Sequence, residues 1–370
     1  MRIGFDAKRV FFNRSGLGAY SRDSVELLSR YCPGHEYLLF SPKEGNPVGF
    51  AVPEGVRTLY PEGVSRRFSS LWRSYAMSGS LRRAGLDIYH GLSNELPADI
   101  RRSGVRSVVT IHDLIFVRYP RLYRPADRWL YTRKYAGSCR NADRIIAISG
   151  QTRNDLVEFW GVPSEKIDVV YQGCNPIFYD RADDGERRRV RMKYGLPGHY
   201  LLSVGTVEER KNLLLAVRAI AENGLDTELV VCGRRTPYAD RVESYAAGHG
   251  LADRIHFLTG VETSDLPALY QMADALVYAS LFEGFGIPIL EGLNSGIPVI
   301  TTRGGVFVET GGDACLYVDP ASTEEMADAI GRALGDTALR AELAERGYRH
   351  AARFRQEHIA ASLMRVYQSL

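Results

Sequence analysis

Short, continuous apolar runs recur along the chain, each followed by a glycine-rich or polar loop and then by apolar residues at helical spacing. Unbroken apolar runs fit strands buried on both faces of a parallel sheet, and the intervening helices supply the crossovers. Arg2 to Ala7, Tyr37 to Ser41, Asp87 to His90, Ser107 to Ile111, Ala142 to Ile148 and Lys166 to Tyr171 read as the first set of strands. The charged stretch from Asp183 to Pro197 reads as a linker with a short helix. The pattern then starts again with Tyr200 to Val204, Leu229 to Cys232, His256 to Leu258, Ala275 to Ala279 and Ile297 to Ile300. From Thr323 onward, Met326, Ile330, Ala333 and Leu334 fall on one helix face. This pattern predicts an α/β protein of two Rossmann-like, doubly wound parallel-sheet domains facing a cleft. The expected boundaries are 1–172, 173–350 and a closing segment, 351–370, that crosses back to the first domain.

One segment concentrates candidate chemistry. Between the runs Ala275–Ala279 and Ile297–Ile300 lies a short helix, with Pro288 suited to its first turn and Gly296 to the position past its end. Gly284, Phe285 and Gly286 precede it, and the two glycines let the backbone turn tightly and approach a ligand. The amides at the helix start, around Ile287, can then meet an anion such as a phosphate. Glu283 and Glu291 frame this seat, and each carboxylate can accept hydrogen bonds from vicinal hydroxyls of a ribose or a hexose. The plainer reading leaves Glu291 complementing the helix dipole and Glu283 on the surface.

Other candidates lie at the ends of other strands. Gly205 and Thr206 open the loop GTVEERKN, which carries Arg210 and Lys211. Arginine can clamp a diphosphate bidentately and lysine can act as a point charge, although Arg-Lys pairs are also common on plain surfaces. Gly16 and Gly18 sit in the loop VFFNRSGLG, ahead of a helix expected from about Ala19 to Tyr31. His112 and Asp113 close a strand, and His112 reads from the residues alone as a core or turn histidine. Asn94 and Glu95, on the loop after the preceding strand, are candidate acceptor contacts or members of a solvated loop. Ser149 is placed to cap a helix from Thr152 to Trp160.

Composition narrows the function classes. With 370 residues and 45% hydrophobic content, the chain can fill two cores. Its five cysteines are scattered without paired spacing, which suggests neither a zinc site nor a disulfide framework. Residues 1–180 hold 26 Lys+Arg against 18 Asp+Glu, so the first half is basic. Such asymmetry can mean an anionic partner, a membrane surface being one candidate, and no nucleic-acid motif accompanies the charge, so nucleic acid is not expected. Residues 65–85 combine Phe68, Leu71, Trp72, Tyr75 and Met77 with five arginines and no acid. Such a segment can form an amphipathic helix on an anionic bilayer, or pack its aromatics inward in the ordinary way. The N-terminus enters a strand directly and no apolar run approaches a membrane span, which places the expected site of action in the cytoplasm, with the inner membrane face as an option.

The run from Glu283 through Gly284, Phe285, Gly286, Ile287 and Pro288 to Glu291 resembles the E-x7-E signature of retaining glycosyltransferases of the GT-B fold, in family 4. The similarity extends over nearly the whole chain, through the glycine-rich first loop, the Thr110–Asp113 segment and the G-T-x-E-x-R-K-N pattern. It implies a nucleoside-diphosphate sugar donor, mannose from GDP-mannose first, and a glycan or lipid-linked acceptor in bacterial polysaccharide synthesis. It further implies Glu283 on donor-sugar hydroxyls, Glu291 on the ribose diol, His112 beside the donor sugar, and Gly16, Gly18, Gly205 and Thr206 near the donor. No cofactor is expected, and the absence of a D-x-D motif argues against an obligatory metal. The rivals are another GT-B enzyme such as an epimerase, or a homologue that binds a nucleotide sugar without chemistry.

Overall fold

Seven strands form the first sheet: β1 (Arg2–Asp6), β2 (Glu36–Phe40), β3 (Arg57–Leu59), β4 (Ile88–Gly91), β5 (Arg106–Ile111), β6 (Arg144–Ala147) and β7 (Ile167–Val169). They lie in the order 3-2-1-4-5-6-7, and every pairing is parallel. Both faces are covered, so Ile3, Phe5, Val108, Val109 and Ile145 are fully buried, as unbroken apolar runs require. The second sheet has six strands, β8 (Leu201–Val204), β9 (Leu229–Cys232), β10 (Ile255–Leu258), β11 (Ala275–Tyr278), β12 (Val299–Thr302) and β13 (Cys315–Val318). Its order is 10-9-8-11-12-13, again wholly parallel. Each order reverses direction once, beside β1 in the first sheet and beside β8 in the second. Ligands of doubly wound sheets collect at the carboxyl ends of the strands flanking that reversal.

The computed structural model describes residues 1–63 and 67–370. They divide into two units, Met1–Gln172 with Gln356–Leu370, and Gly173–Arg355. The closing helix Gln356–Gln368 packs on the helix Gly16–Tyr31 of the first unit and buries Ile359, Leu363 and Tyr367 there. In the second unit, the helices Leu213–Glu222 and Thr323–Gly335 pack on one another, and Met326, Ile330 and Ala333 are buried as their spacing predicts. Ser149 caps the helix Gly150–Trp160 by accepting from the Thr152 amide at 3.1 Å.

Two expectations are corrected, for Gly16 and Gly18 and for residues 65–85. Gly16 and Gly18 do not lie in a loop, because the helix begins at Gly16. A Cβ on Gly18 would stand 2.0 Å from the Asn13 carbonyl oxygen, so the glycine there permits a tight backbone approach at the helix start. The stretch Asp183–Pro197 carries the expected short helix, 11 residues capped by Asp183. Arg189, Lys193 and Tyr194 of this helix all bind the buried Asp265.

Within 65–85, residues 65 and 66 lie outside the described residues, and the rest forms two short helices, Ser69–Tyr75 and Ser78–Arg83, in place of one amphipathic helix. Trp72, Met77 and Leu81 enter the core, while Phe68, Leu71 and Tyr75 stay exposed. Among the described residues, no helix is long and apolar enough to cross a membrane.

Candidate functional site

In the second unit the candidate side chains converge beside β8 and β11, where the sheet order reverses. Gly205 follows β8 with φ +134, a conformation that favours glycine, and a Cβ there would meet the Lys211 side chain at 3.4 Å. Thr206, next in the loop, is half-buried. Arg210 and Lys211 belong to a 3-10 turn, Glu209–Lys211, that closes the same loop. The Lys211 Nζ donates to the Tyr278 hydroxyl at 2.8 Å, at the end of β11. Arg210 donates through Nη1 to the Phe282 carbonyl at 2.6 Å and through Nη2 to Glu208 at 2.7 Å.

Glu283 sits between these cations. Its Oε1 lies 2.6 Å from both the Arg210 Nη1 and the Lys211 Nζ. Nη1 and Nζ keep further N–H groups beyond those given to Phe282 and Tyr278, so the Glu283 carboxylate is held by charge and hydrogen bonding together. Burial alone would raise the Glu283 carboxyl; Lys211 and Arg210 outweigh it and hold the group at about 2. Burial likewise lowers the Lys211 ammonium, and the Tyr278 and Glu283 oxygens more than restore it. All three groups are therefore ionised at neutral pH, and Glu208, which also pairs with Arg210, makes two carboxylates against the two cations.

The helix Ile287–Ser295 starts directly beyond this cluster, with Gly286 at its N-cap at φ +106 and Gly296 at its C-cap at φ +71. Pro288 has no amide donor and the Ile289 amide is bonded to the Gly286 carbonyl, which leaves the amides at Gly286 and Ile287 nearest to an incoming anion. Phe285 does not point outward; it is buried against Phe354, and its carbonyl accepts from Thr310. Glu291, in the second turn of the helix, accepts from the Tyr270 hydroxyl at 2.6 Å. Burial pushes its carboxyl up to about 7, with the Tyr270 hydroxyl and the Lys211 charge opposing part of that rise.

In the first unit, His112 follows β5 and is fully enclosed. Its Nε2 donates to the Leu92 carbonyl at 2.9 Å, and its ring meets Tyr20 edge-on at 4.6 Å. Burial lowers its pKa to about 4, so the imidazole is neutral and Nδ1 is an acceptor. Asn94, in a left-handed conformation at φ 66, accepts the His112 amide at 2.8 Å and so orients the histidine from the adjoining loop. Glu95 also turns inward, pairing with Arg73 at 2.9 Å and with Lys134 at 3.6 Å. Arg73 simultaneously holds Asp6, at the end of β1. Gly16 and Gly18 open the neighbouring helix, as described above.

Several participants escaped the sequence reading. Tyr270 and Tyr278 look like ordinary core tyrosines, and only their partners 21 and 67 residues away mark them. Beneath His112, a buried chain of hydrogen bonds links Tyr20, Thr110, His90 and Tyr367. Burial lowers the His90 pKa to about 3, so this chain is uncharged. Among the described residues, no group of three or more His, Cys, Asp or Glu side chains is placed to hold a metal ion.

Comparison with known proteins extends this picture. The family Glycosyl transferases group 1 matches residues 187–350, and Glycosyltransferase Family 4 matches residues 14–177. The O-antigen chain mannosyltransferase B of Escherichia coli is 28% identical over 391 residues, covering 100% of both chains. The O-antigen chain mannosyltransferase RfbU of Salmonella typhimurium is 29% identical over 224 residues, 60% of this chain and 59% of that one. Among solved structures, Anabaena Alr3699/HepE in complex with UDP superposes with a TM-score of 0.79 at 17% identity, covering 100% of both chains.

Proposed function

Because the chain belongs to the group 1 glycosyl transferases of family 4, with the GT-B fold, we propose that it transfers a hexose, mannose from GDP-mannose first, onto a glycan or lipid-linked acceptor in bacterial polysaccharide synthesis, with retention at the anomeric carbon. The observation that carries this reading is the Arg210–Glu283–Lys211 cluster beside the start of the Ile287–Ser295 helix. Two locked cations and a helix N-terminus offer what a departing diphosphate needs. The mannose assignment draws support from the two O-antigen mannosyltransferases; the nucleotide rests on resemblance alone.

In this mechanism the acceptor hydroxyl oxygen bonds to the anomeric carbon on the face from which the phosphate oxygen departs. The glycosidic C–O bond breaks, and the hydroxyl proton passes to the departing phosphate oxygen. Arg210 and Lys211 stabilise the growing negative charge, and no metal is required. Glu283, with Oε1 committed to the cations, offers Oε2 to sugar hydroxyls, and neutral His112 accepts a hydroxyl hydrogen bond through Nδ1. Glu291 takes the ribose diol as a carboxylate.

The test is release of nucleoside diphosphate from GDP-, UDP-, ADP- and dTDP-sugars, each supplied with mannosides as acceptors. Release from one donor is expected. No release, together with no thermal stabilisation by any nucleotide, would remove the reading.

A pH dependence follows from Glu291. Since protonation turns one of its acceptor oxygens into a donor and removes the charge that strengthens hydroxyl bonds, kcat/KM for the donor is expected to fall as pH drops through about 7. Tyr270→Phe removes a hydroxyl that lowers this pKa, so the acid limb should move to higher pH. A limb unmoved in the variant would mean that another group controls it.

A peripheral membrane contact at the cytoplasmic face is part of the proposal, through exposed Phe68 and Leu71 with the basic charge of the first half. Sedimentation with anionic vesicles should weaken in a Phe68→Ser, Leu71→Ser double variant, and equal sedimentation would discard the contact.

A further inference from the structure

In the second unit, the Asp184–Tyr194 helix divides its charges between two faces. At about 3.6 residues per turn, Glu186, Arg189 and Lys193 share one side. Charge is matched there: Arg189 pairs with Glu186 and Asp265, and Lys193 with Glu262 and Asp265. Asp184, Arg187, Arg188 and Arg191 fall on the opposite side. They line a cavity of about 390 Å³ together with Gln271 and Met272, at the end of the Leu266–Gln271 helix. Its volume lies within the range of small-molecule sites, about 300–1,000 Å³.

The charges on this face are not matched. Among the described residues, none of the three arginines forms an ion pair, and Asp184 is the one carboxylate in the lining. Three guanidiniums against one carboxylate leave two positive charges uncancelled. Arg187 and Arg191 stand four positions apart, and Arg188 and Arg191 three, spacings at which like charges repel on a helix surface. The Arg187 Nε is buried and has no hydrogen-bond partner among the described residues. Arg191 reaches only the Gly198 carbonyl, at 3.5 Å. The opposite wall, in contrast, is already fixed: Gln271 donates to the Asp180 carbonyl at 2.9 Å and accepts from the Ala182 amide at 3.0 Å.

This lining selects an anion of two charges. Arginine forks meet phosphate oxygens bidentately, and a phosphate monoester is close to a dianion at neutral pH. A carboxylate would cancel one of the two charges and leave the repulsion between the arginines. Asp184 disfavours a bare anion beside it, but it can accept a hydroxyl of the esterified part, for which the cavity has room. We propose that this cavity binds the phosphate group of a phosphate monoester through Arg187, Arg188 and Arg191. It shares no residue with the diphosphate seat at Arg210 and Lys211, and it stands whether or not the transfer reading does.

Calorimetric titration with inorganic phosphate and with mannose 6-phosphate, at constant ionic strength, would be run on Lys211→Ala, in which the diphosphate seat is weakened. The same titrations would follow in Lys211→Ala carrying Arg187→Gln and Arg191→Gln, and in Lys211→Ala carrying Arg188→Gln alone. Sedimentation with phosphatidylcholine vesicles, with and without phosphatidic acid, distinguishes a lipid headgroup from a free ester. Lys211→Ala should bind, and the two glutamines together should weaken binding at least tenfold, the loss of charge-assisted hydrogen bonds. Their melting temperature without phosphate should not fall, since repulsion is removed with the charges. Arg188 is exposed, so Arg188→Gln gives a reading free of any folding defect, with binding weakened about threefold. Binding of mannose 6-phosphate would identify a free ester; sedimentation that needs phosphatidic acid and is lost in the same variants would identify a headgroup. No binding of either anion or of the acidic vesicles, or binding of equal strength in the arginine variants, would overturn the proposal.

Discussion

Lys211→Ala is expected to lower turnover by about two to three orders of magnitude, the loss seen when one preorganised charge donor to a developing anion is removed. The ammonium is fixed by two partners: the Tyr278 hydroxyl accepts its hydrogen bond, and the Glu283 carboxylate adjoins it. A cation held in this way needs no rearrangement as the diphosphate leaves, so its effect should fall on kcat more than on donor KM. Stability should suffer less, because Glu283 keeps Arg210 as a partner at 2.6 Å. Lys211→Met separates charge from packing, since it retains most of the stem. Both variants should lose turnover alike while melting near wild type. Near-normal turnover in Lys211→Met would show that the ammonium is not the group that matters.

Much of this site was legible because its signals are local. Pro288 and Gly296 bracket the helix Ile287–Ser295 at the positions their backbone preferences dictate, and the flanking apolar runs became β11 and β12. The glycines at 16 and 18 misled for the opposite reason: low helix propensity suggests a loop, yet close approach to the Asn13 carbonyl calls for glycine inside the first turn. Residues 65–85 show a second limit. Charge and aromatic content left one helix to lie on a bilayer or to pack its aromatics inward, but a break at Ala76 and Met77 gives two, with Trp72 and Arg73 turned inward and Phe68, Leu71 and Tyr75 exposed.

No local pattern could show where Arg73 points, since its partner Asp6 lies 67 residues earlier in the chain. Likewise, the sequence placed Asn94 and Glu95 on a loop beside the candidate site, but their inward orientation depends on His112, Arg73 and Lys134, all brought there by the sheet.

The buried Arg73 yields the largest expected change in stability. Arg73→Met keeps the stem and removes the charge, leaving Asp6, only 4% exposed, with the Lys8 amide at 3.0 Å and no guanidinium. Breaking a buried pair by removing one partner costs about 3–5 kcal/mol, and that loss is expected for the first unit in urea at neutral pH. The pH dependence identifies the cause. In the wild type, burial raises the Asp6 carboxyl but the Arg73 charge and hydrogen bond outweigh it, so the folded value lies below the unfolded one. That contribution to stability is present above the unfolded value, about 3.9, and is lost as pH falls through the folded one.

In Arg73→Met, burial is opposed only by the Lys8 amide and charge, the smaller influences, and lifts the folded carboxyl above about 3.9, so ionised Asp6 now destabilises the fold at every pH above that raised value. Lowering the pH protonates Asp6 and removes the penalty. The gap between variant and wild type should therefore narrow as pH falls from neutral toward about 4. Glu95, which retains Lys134 at 3.6 Å, should contribute the smaller share. A deficit that stays constant across this range would assign the loss to packing and discard the charge-pairing account of Asp6 and Arg73.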